Sequence, residues 1–455
     1  MIDTDLKDLA ADLAEEENLF SEYGKFDIRH RFSGDGKKIV NTVTVNGKTF
    51  AFGSLIGFEN EIEKKRLIKR YAKLSIYKTL SKITGVNLPW GSLTGIRPTK
   101  LAYQSLERDG EFHDFFVDTL KVSEEKTALT EEIILTQKDC YERGKNGTDL
   151  FVFIPFCPSR CEYCSFISQD VKGASKLVDK YVETLIYEIE NSAKYVKRLN
   201  SIYVGGGTPV SLSDNDLDRV LSAIDKINTG VEFTVEAGRP DVITDENVKI
   251  LLAHNVTRVC VNPQTFSDET LRKIGRRHTA ADVYRAMEKV SGKFSVNMDL
   301  IAGLDGENFE IFANSLSKTV ELSPDDITVH TLCVKKGSYL AEKTADLPTG
   351  DVAKCVDHAY KTLKENGYSP YYLYRQKYMA GNLENVGYCK DGKACAFNID
   401  TMEDVSSVVA CGANAISKSV RNAGERIERY GNPKDVKTYI NKIEEILRAK
   451  DEFFA

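Results

Sequence analysis

Three cysteines fall within eight residues, Cys157-x3-Cys161-x2-Cys164, out of ten in the chain. Thiolates at that density bind metal, exchange electrons or pack a core. The triad directly follows an apolar run, FVFIP at 151–155, and Pro155 and Pro158 resist a helical turn. The thiols are therefore expected on a loop at the C-terminal end of a strand, the active end of a βα barrel. Structural zinc takes four protein ligands, whereas a cubane held by three thiolates keeps one iron open to an exogenous chelator. Spacing and strand context favour the cluster over zinc and over three buried structural thiols. The aromatics Phe156, Tyr163 and Phe166 would help exclude water there.

Further polar residues recur at the ends of later apolar runs. Gly205-Gly206-Gly207-Thr208-Pro209 follows SIYV, and glycines let a backbone approach a ligand where Cβ atoms would block it. Glu236 ends the run TVEA, where a buried carboxylate needs a partner or a ligand cation. Gln264 lies in VCVNPQTF, Asp299 in NMDLIAGL and Arg276 in IGRRH; a planar guanidinium suits bidentate pairing with a carboxylate. His278 and His330 have no paired ligand spacing and read as packed or surface histidines. Cys389 and Cys395 read as free thiols rather than ligands of an auxiliary cluster. The tyrosine-dense run 371–378 suits a buried strand and a face for a planar ligand equally well.

The elements that must position these residues are six apolar runs: FVFIP, SIYVGG (201–206), VEFTVEA (231–237), TRVCVN (257–262), FSVNMDLIAG (294–303) and DDITVHTL (325–332). Amphipathic stretches separate them, which makes a parallel sheet flanked by helices the economical arrangement. Six βα units are too few for a closed eight-stranded barrel. The predicted fold is α/β: a partial (β/α)6 barrel at 149–345, an N-terminal α+β domain at 1–148 and a mixed C-terminal, substrate-covering region at 346–455. In the first domain, 39–52 alternates apolar and polar residues around Asn46-Gly47, a hairpin signal, and 59–84 has helical periodicity. The tail offers one apolar strand, VSSVVACGANAIS, and a last helix over Lys434–Lys450.

The cysteine spacing in this context resembles the radical S-adenosylmethionine (SAM) superfamily. IPFCPSRCEYCSF is similar to the cluster signature of the oxygen-independent coproporphyrinogen III oxidase family, and WGSLTGIRPTK with LYRQKYMAGNLENVGY resembles its HemZ-like branch. The resemblance implies a [4Fe–4S] cluster on Cys157, Cys161 and Cys164, with SAM bound by Phe166, Gly206, Gly207, Thr208, Glu236, Gln264, Arg276 and Asp299. It further implies a tetrapyrrole substrate, an unidentified electron donor and acceptor, and oxidative decarboxylation of propionates to vinyl groups. Arg97, Lys100, Arg375 and Lys377 are the candidate partners for substrate carboxylates. A haem-binding chaperone-like relative and a radical enzyme acting on haem are the alternatives. Where better-known members carry Tyr and His ahead of the first cysteine, this chain has Phe151 and Phe153, so two polar groups near the cofactors are missing.

Composition bounds the rest. The chain has 455 residues, 42% hydrophobic and 29% charged, long enough for two or three domains. It contains no run of about 18 uncharged apolar residues, and its first residues mix acids with apolars, so a cytoplasmic protein without a membrane partner is expected. Net charge is −6. From Lys25 to Lys100, however, 16 basic residues face five acidic ones. A solvated helix face explains that imbalance, and an RNA-modifying enzyme is the weakest alternative.

Overall fold

In the computed structural model the described residues are 2–34, 37–94, 97–165, 169–170, 175–335, 337–343, 351–376, 379–421 and 426–455. They group into two compact units, Met1–Glu131 and Glu132–Ala455. The division falls inside a helix, seventeen residues before the domain boundary expected from the sequence.

The first unit carries a four-stranded sheet in the order β1 (Asp3–Thr4), β2 (Ile28–Gly34), β3 (Lys38–Val45), β4 (Lys48–Leu55). The hairpin expected around Asn46-Gly47 joins β3 to β4, and both turn residues have positive φ, 49° and 83°. Helices α1 (Ala10–Leu19), α2 (Glu61–Thr84) and α3 (Pro98–Asp109) follow the same chain order, and α4 (Glu124–Gly144) crosses the division. Asn60 caps α2 by accepting from the Glu63 amide. The stripe Ala72, Ile76 and Leu80 of α2 packs with Leu13, Phe20 and Val43.

Within that core Glu16 is fully buried, with Lys73 Nζ 3.6 Å away. Burial pushes its carboxyl up to about 8 despite the nearby ammonium. The unfolded chain ionises near the ordinary carboxylate value, so stability falls as pH rises through the window between 4.5 and 8. Glu16→Gln therefore stabilises this unit increasingly from pH 5 to 8, by up to about 5 kcal/mol at pH 9. Melting curves at pH 6 and 9 check this, and an equal shift at both pH values contradicts it.

The second unit is built on an eleven-stranded mixed sheet. Its strands are β5 (Thr148–Ile154), β8 (Leu199–Gly206), β9 (Glu232–Val235), β10 (Arg258–Cys260), β11 (Ser295–Ala302), β12 (Asp326–Thr331), β13 (Ser369–Tyr374), β14 (Asn385–Cys389), β15 (Ser407–Cys411), β16 (Ile416–Arg421) and β17 (Arg426–Gly431). The short strands β6 (Phe156–Cys157) and β7 (Gln169–Asp170) pair separately. Each of the six predicted strands is present, and all six run parallel in the order β12-β11-β10-β9-β8-β5. Helices α5 (Ser175–Ser192), α6 (Asp214–Asp225), α7 (Asp245–Ala253), α8 (Asp268–Lys273), α9 (Ala280–Val290) and α10 (Phe309–Glu321) connect them. One continuous core joins the apolar faces of α5, α6 and α9 to the buried side chains of β5, β8 and β9.

The tail contributes more sheet than expected. After α11 (Tyr339–Lys343) and α12 (Val352–Glu365), β13 and β14 extend the β12 edge, while β15 adds in parallel to β5 and leads into β16 and β17. The apolar run at 405–417 is thus two strands, turned at Gly412-Ala413-Asn414. Gly412 has φ +107°, and a Cβ there would meet the Phe153 carbonyl at 2.4 Å. Tyr371, Tyr372 and Tyr374 of the tyrosine run lie on a strand, β13. The final helix breaks at Lys442 into α14 (Val436–Asn441) and α15 (Ile443–Phe454). α13 (Ala396–Glu403) packs on both β8 and β13. These strands lie six places apart in the sheet, so the sheet curves around α13. Among the described residues no helix is long and apolar enough to cross a membrane.

Candidate functional site

The cysteine loop leaves the C-terminal end of β5. Cys157 and Cys164 are half-buried and Cys161 is buried. Ser159 Oγ donates to the Gly275 carbonyl at 3.1 Å and accepts from Arg239 Nη1 at 3.0 Å. The Glu162 amide donates to the Ile274 carbonyl. Arg160 lies 4.4 Å over the Tyr339 ring and donates to the Gly337 carbonyl at 2.6 Å. Thr208 Oγ1 sits 3.5 Å from Cys157 Sγ.

The glycine turn after β8 is pressed against this loop. The Gly207 and Thr208 amides donate to the Ile154 and Phe156 carbonyls at 2.8 and 2.7 Å. A Cβ at Gly207 would lie 2.4 Å from the Phe156 carbonyl oxygen, and one at Gly206, where φ is +98°, would lie 2.6 Å from the Phe153 ring. Both glycines are therefore required by the chain's own packing, in addition to any room they leave for a ligand.

The remaining polar residues line the ends of neighbouring strands. Glu236 accepts from Tyr203 Oη at 2.6 Å and from the Gly206 amide at 3.0 Å. Burial raises its carboxyl above the usual range, and these donors oppose the shift. Gln264 takes positive φ, 67°. Its backbone bridges to β11 through the Asp299 carbonyl and the Ile301 amide, and its buried Oε1 has no protein partner. Asn262 Oδ1 is likewise buried without one. Arg276 Nη1 donates to the Asn262 carbonyl at 2.6 Å and Nη2 to the Tyr163 hydroxyl at 3.1 Å, while Nε is unpartnered. Asp299 accepts from Asn297 Nδ2 at 2.8 Å and lies 3.6 Å from His330 Nε2.

Other candidate residues are placed as follows. Arg375 is no free substrate cation: it is 4% exposed, and its guanidinium donates to the Asn382 and Leu383 carbonyls. Phe156 packs edge-on against Tyr181 in the core, 5.2 Å between centroids, and the Tyr163 hydroxyl accepts from Arg276 Nη2. Arg97 and Lys100 lie at the start of α3 in the first unit. Phe166 and Lys377 fall outside the described residues. His278 is 2% exposed, and burial beside Arg276 and Arg239 pulls its imidazole down to about 3, so it is a neutral packed residue. Cys389 and Cys395 are free and buried. Residues not singled out from the sequence but present here are Asn262, Arg239, Tyr203 and Asn297. Asn262 and Asn297, each two positions before a residue that was singled out, had a local signal.

The two phenylalanines in place of polar residues form an apolar wall. Phe151 stacks on Phe397 at 5.7 Å and Tyr203 stacks on Phe397 at 4.5 Å. Phe153 packs with Val408, Ala410 and Ala415.

A three-thiolate cluster and SAM fit this chemistry. The donor set is three cysteines on a braced loop, beside unpartnered buried polar atoms of Asn262, Gln264 and Arg276. Among the described residues no three His, Cys, Asp or Glu side chains converge as a metal-ligating set.

Residues 151–318 match the family described as "Radical SAM superfamily". The chain is similar to the oxygen-independent coproporphyrinogen-III oxidase-like protein HemZ of Bacillus subtilis, 34% identical over 87% of this chain and 83% of that one. It is also similar to the heme chaperone HemW of Lactococcus lactis, 33% identical over 49% of this chain and 60% of the relative. Among solved structures, the coproporphyrinogen III oxidase HemN of Escherichia coli superimposes with a TM-score of 0.55 at 22% identity, covering 68% of this chain and 72% of that one, a likeness of fold. The protein thus belongs to the radical SAM superfamily and, within it, to the HemN/HemZ family, with a [4Fe–4S] cluster and SAM as its cofactors.

Proposed function

We propose that the protein is an oxygen-independent coproporphyrinogen III dehydrogenase, converting propionates of its substrate to vinyl groups and yielding protoporphyrinogen IX. The observation that carries the reading is the 34% identity to the HemZ relative across most of both chains, joined to the cysteine loop and polar strand ends described above. Cys157, Cys161 and Cys164 would hold the cluster; Gly206, Gly207, Thr208, Glu236, Gln264, Arg276 and Asp299 would surround SAM. When bound, these cofactors supply one-electron cleavage of the sulfonium and a radical able to take hydrogen from an unactivated carbon.

The chain's own residues have three tasks. Arg239, Arg160 and Arg276 fix the cysteine loop through Ser159, the Gly337 carbonyl and Tyr163. Gln264 and Asp299 present acceptors to ribose hydroxyls. The apolar wall of Phe151, Phe153 and Phe397 keeps water from a site where solvent would quench a radical. Each round removes one hydrogen atom, one electron and CO2 from a propionate; the electron passes to an acceptor outside the chain.

A second reading, a haem-handling relative, is favoured by the heme chaperone relatives. Anaerobic incubation of the reconstituted protein with coproporphyrinogen III, SAM and dithionite, followed by mass analysis of the tetrapyrrole, separates the two. Loss of CO2 and two hydrogens per round supports the dehydrogenase. Formation of 5′-deoxyadenosine with an unaltered tetrapyrrole, together with haem retained on the protein, supports the other.

A further inference from the structure

His330 and Tyr374 stand beside Asp299 with geometry that neither packing nor surface solvation explains. His330 is on β12, Tyr374 on β13 and Asp299 on β11. The His330 ring is clasped on two sides: Nδ1 lies 3.1 Å from the Tyr374 hydroxyl and Nε2 lies 3.6 Å from Asp299 Oδ2. The carboxylate selects the arrangement. A bare Nε2 lone pair facing it would repel, so Nε2 carries the hydrogen, and in the neutral ring Tyr374 then donates to Nδ1.

This clasp is itself held. Asn385 on β14 accepts from the Thr331 amide at 2.9 Å and donates to the Tyr374 carbonyl at 3.2 Å, tying together the two strands that carry the pair. Tyr374 stacks on Tyr372 at 6.3 Å with an interplanar angle of 9°, and the Tyr372 hydroxyl lies 3.2 Å from Thr328 Oγ1. Thr328 in turn donates to Asn297 Oδ1, and Asn297 Nδ2 donates to Asp299 Oδ1. Both Asp299 oxygens are thus addressed by side chains whose other ends trace back to the same strand, β13. Although burial alone would raise it, His330 and Asn297 hold the Asp299 carboxyl below its ordinary value.

We infer that His330, with its tautomer set by Tyr374, is a positioning residue that fixes the Asp299 carboxylate in the orientation needed to hold the SAM ribose. The inference rests on the reading of Asp299 as a SAM residue. It gives β13, supplied by the C-terminal part of the chain, a role in cofactor affinity.

The test is calorimetric binding of SAM to anaerobically reconstituted full-length protein with the cluster left oxidised, so that no turnover intervenes. Asp299→Asn first checks the underlying assignment by weakening SAM. His330→Ala is expected to weaken SAM about 10-fold. His330→Gln, which can offer an amide N–H to the carboxylate, recovers most of that loss, and Tyr374→Phe loses about 3-fold. A SAM analogue lacking both ribose hydroxyls is bound equally by wild type and His330→Ala, and His330→Ala adds nothing in the Asp299→Asn background. If Asp299→Asn weakens SAM but His330→Ala and Tyr374→Phe do not, the positioning role is wrong and the site reading survives. If Asp299→Asn has no effect, both fall. Equal loss for SAM and for the deoxygenated analogue assigns His330 a merely structural part and overturns the inference.

Discussion

Cys161→Ala, reconstituted anaerobically with iron and sulfide, retains neither the cluster's absorbance nor its iron, and 5′-deoxyadenosine formation falls by more than about 10³-fold. The reasoning is stoichiometric. Three thiolates leave one iron for SAM; two leave the cluster without a stable corner. Cys161 is the most buried of the triad, and the loop around it is held by contacts that do not involve its sulfur, through Ser159, Arg160 and Glu162. Loss of the thiol should therefore leave the loop in place, so that the phenotype reports ligation. Cys389→Ala, in the buried edge of β14, is the matched control and keeps iron and activity. Full iron content in Cys161→Ala, or loss of iron in both variants, removes the cysteine triad from its assigned role.

The six parallel strands were legible because each is a continuous apolar run, the pattern of strands covered on both faces, and the cysteine loop was legible because its spacing is local. What stayed hidden depends on register between distant segments. β15 lies against β5 although 250 residues separate them, and nothing within VSSVVACGANAIS announces that neighbour. His330 meets Tyr374 only because β12 and β13 both pair with β14; a histidine without a paired ligand spacing carries no such information. Arg375 looked like a cation awaiting a carboxylate because the carbonyls it satisfies belong to a turn seven and eight residues further on. Phe151 and Phe153 were visible as departures from the family pattern, but their replacement of polar groups by a stacked apolar wall requires Phe397, on a helix that the tail folds back inside the curved sheet.

That same tail fastens the barrel from outside through one buried ion pair, where the largest loss of stability is expected. Lys450 on α15 and Glu188 on α5 are both fully buried, 2.7 Å apart. Glu188 also accepts from Tyr439 at 2.6 Å, Asn432 at 2.8 Å and the Gly412 amide at 2.7 Å. Lys450 donates to the Ala410 carbonyl at 2.7 Å. Lys450→Met leaves a carboxylate in the core with only neutral donors, which costs about 3–5 kcal/mol and lowers the unit's melting midpoint by roughly 5 °C or more. Glu188→Gln/Lys450→Met removes both charges and recovers most of that loss, because an uncompensated charge is the expensive element. The consequence reaches the site: Gly412 abuts the Phe153 carbonyl, and the Phe153 ring abuts Gly206. Amide exchange at Gly412, Ala413 and β5 is therefore expected to quicken in Lys450→Met and to slow again in the double variant. A single variant that melts within a degree of wild type, with unchanged exchange along β5, would show that the pair is incidental to how the tail packs on β5.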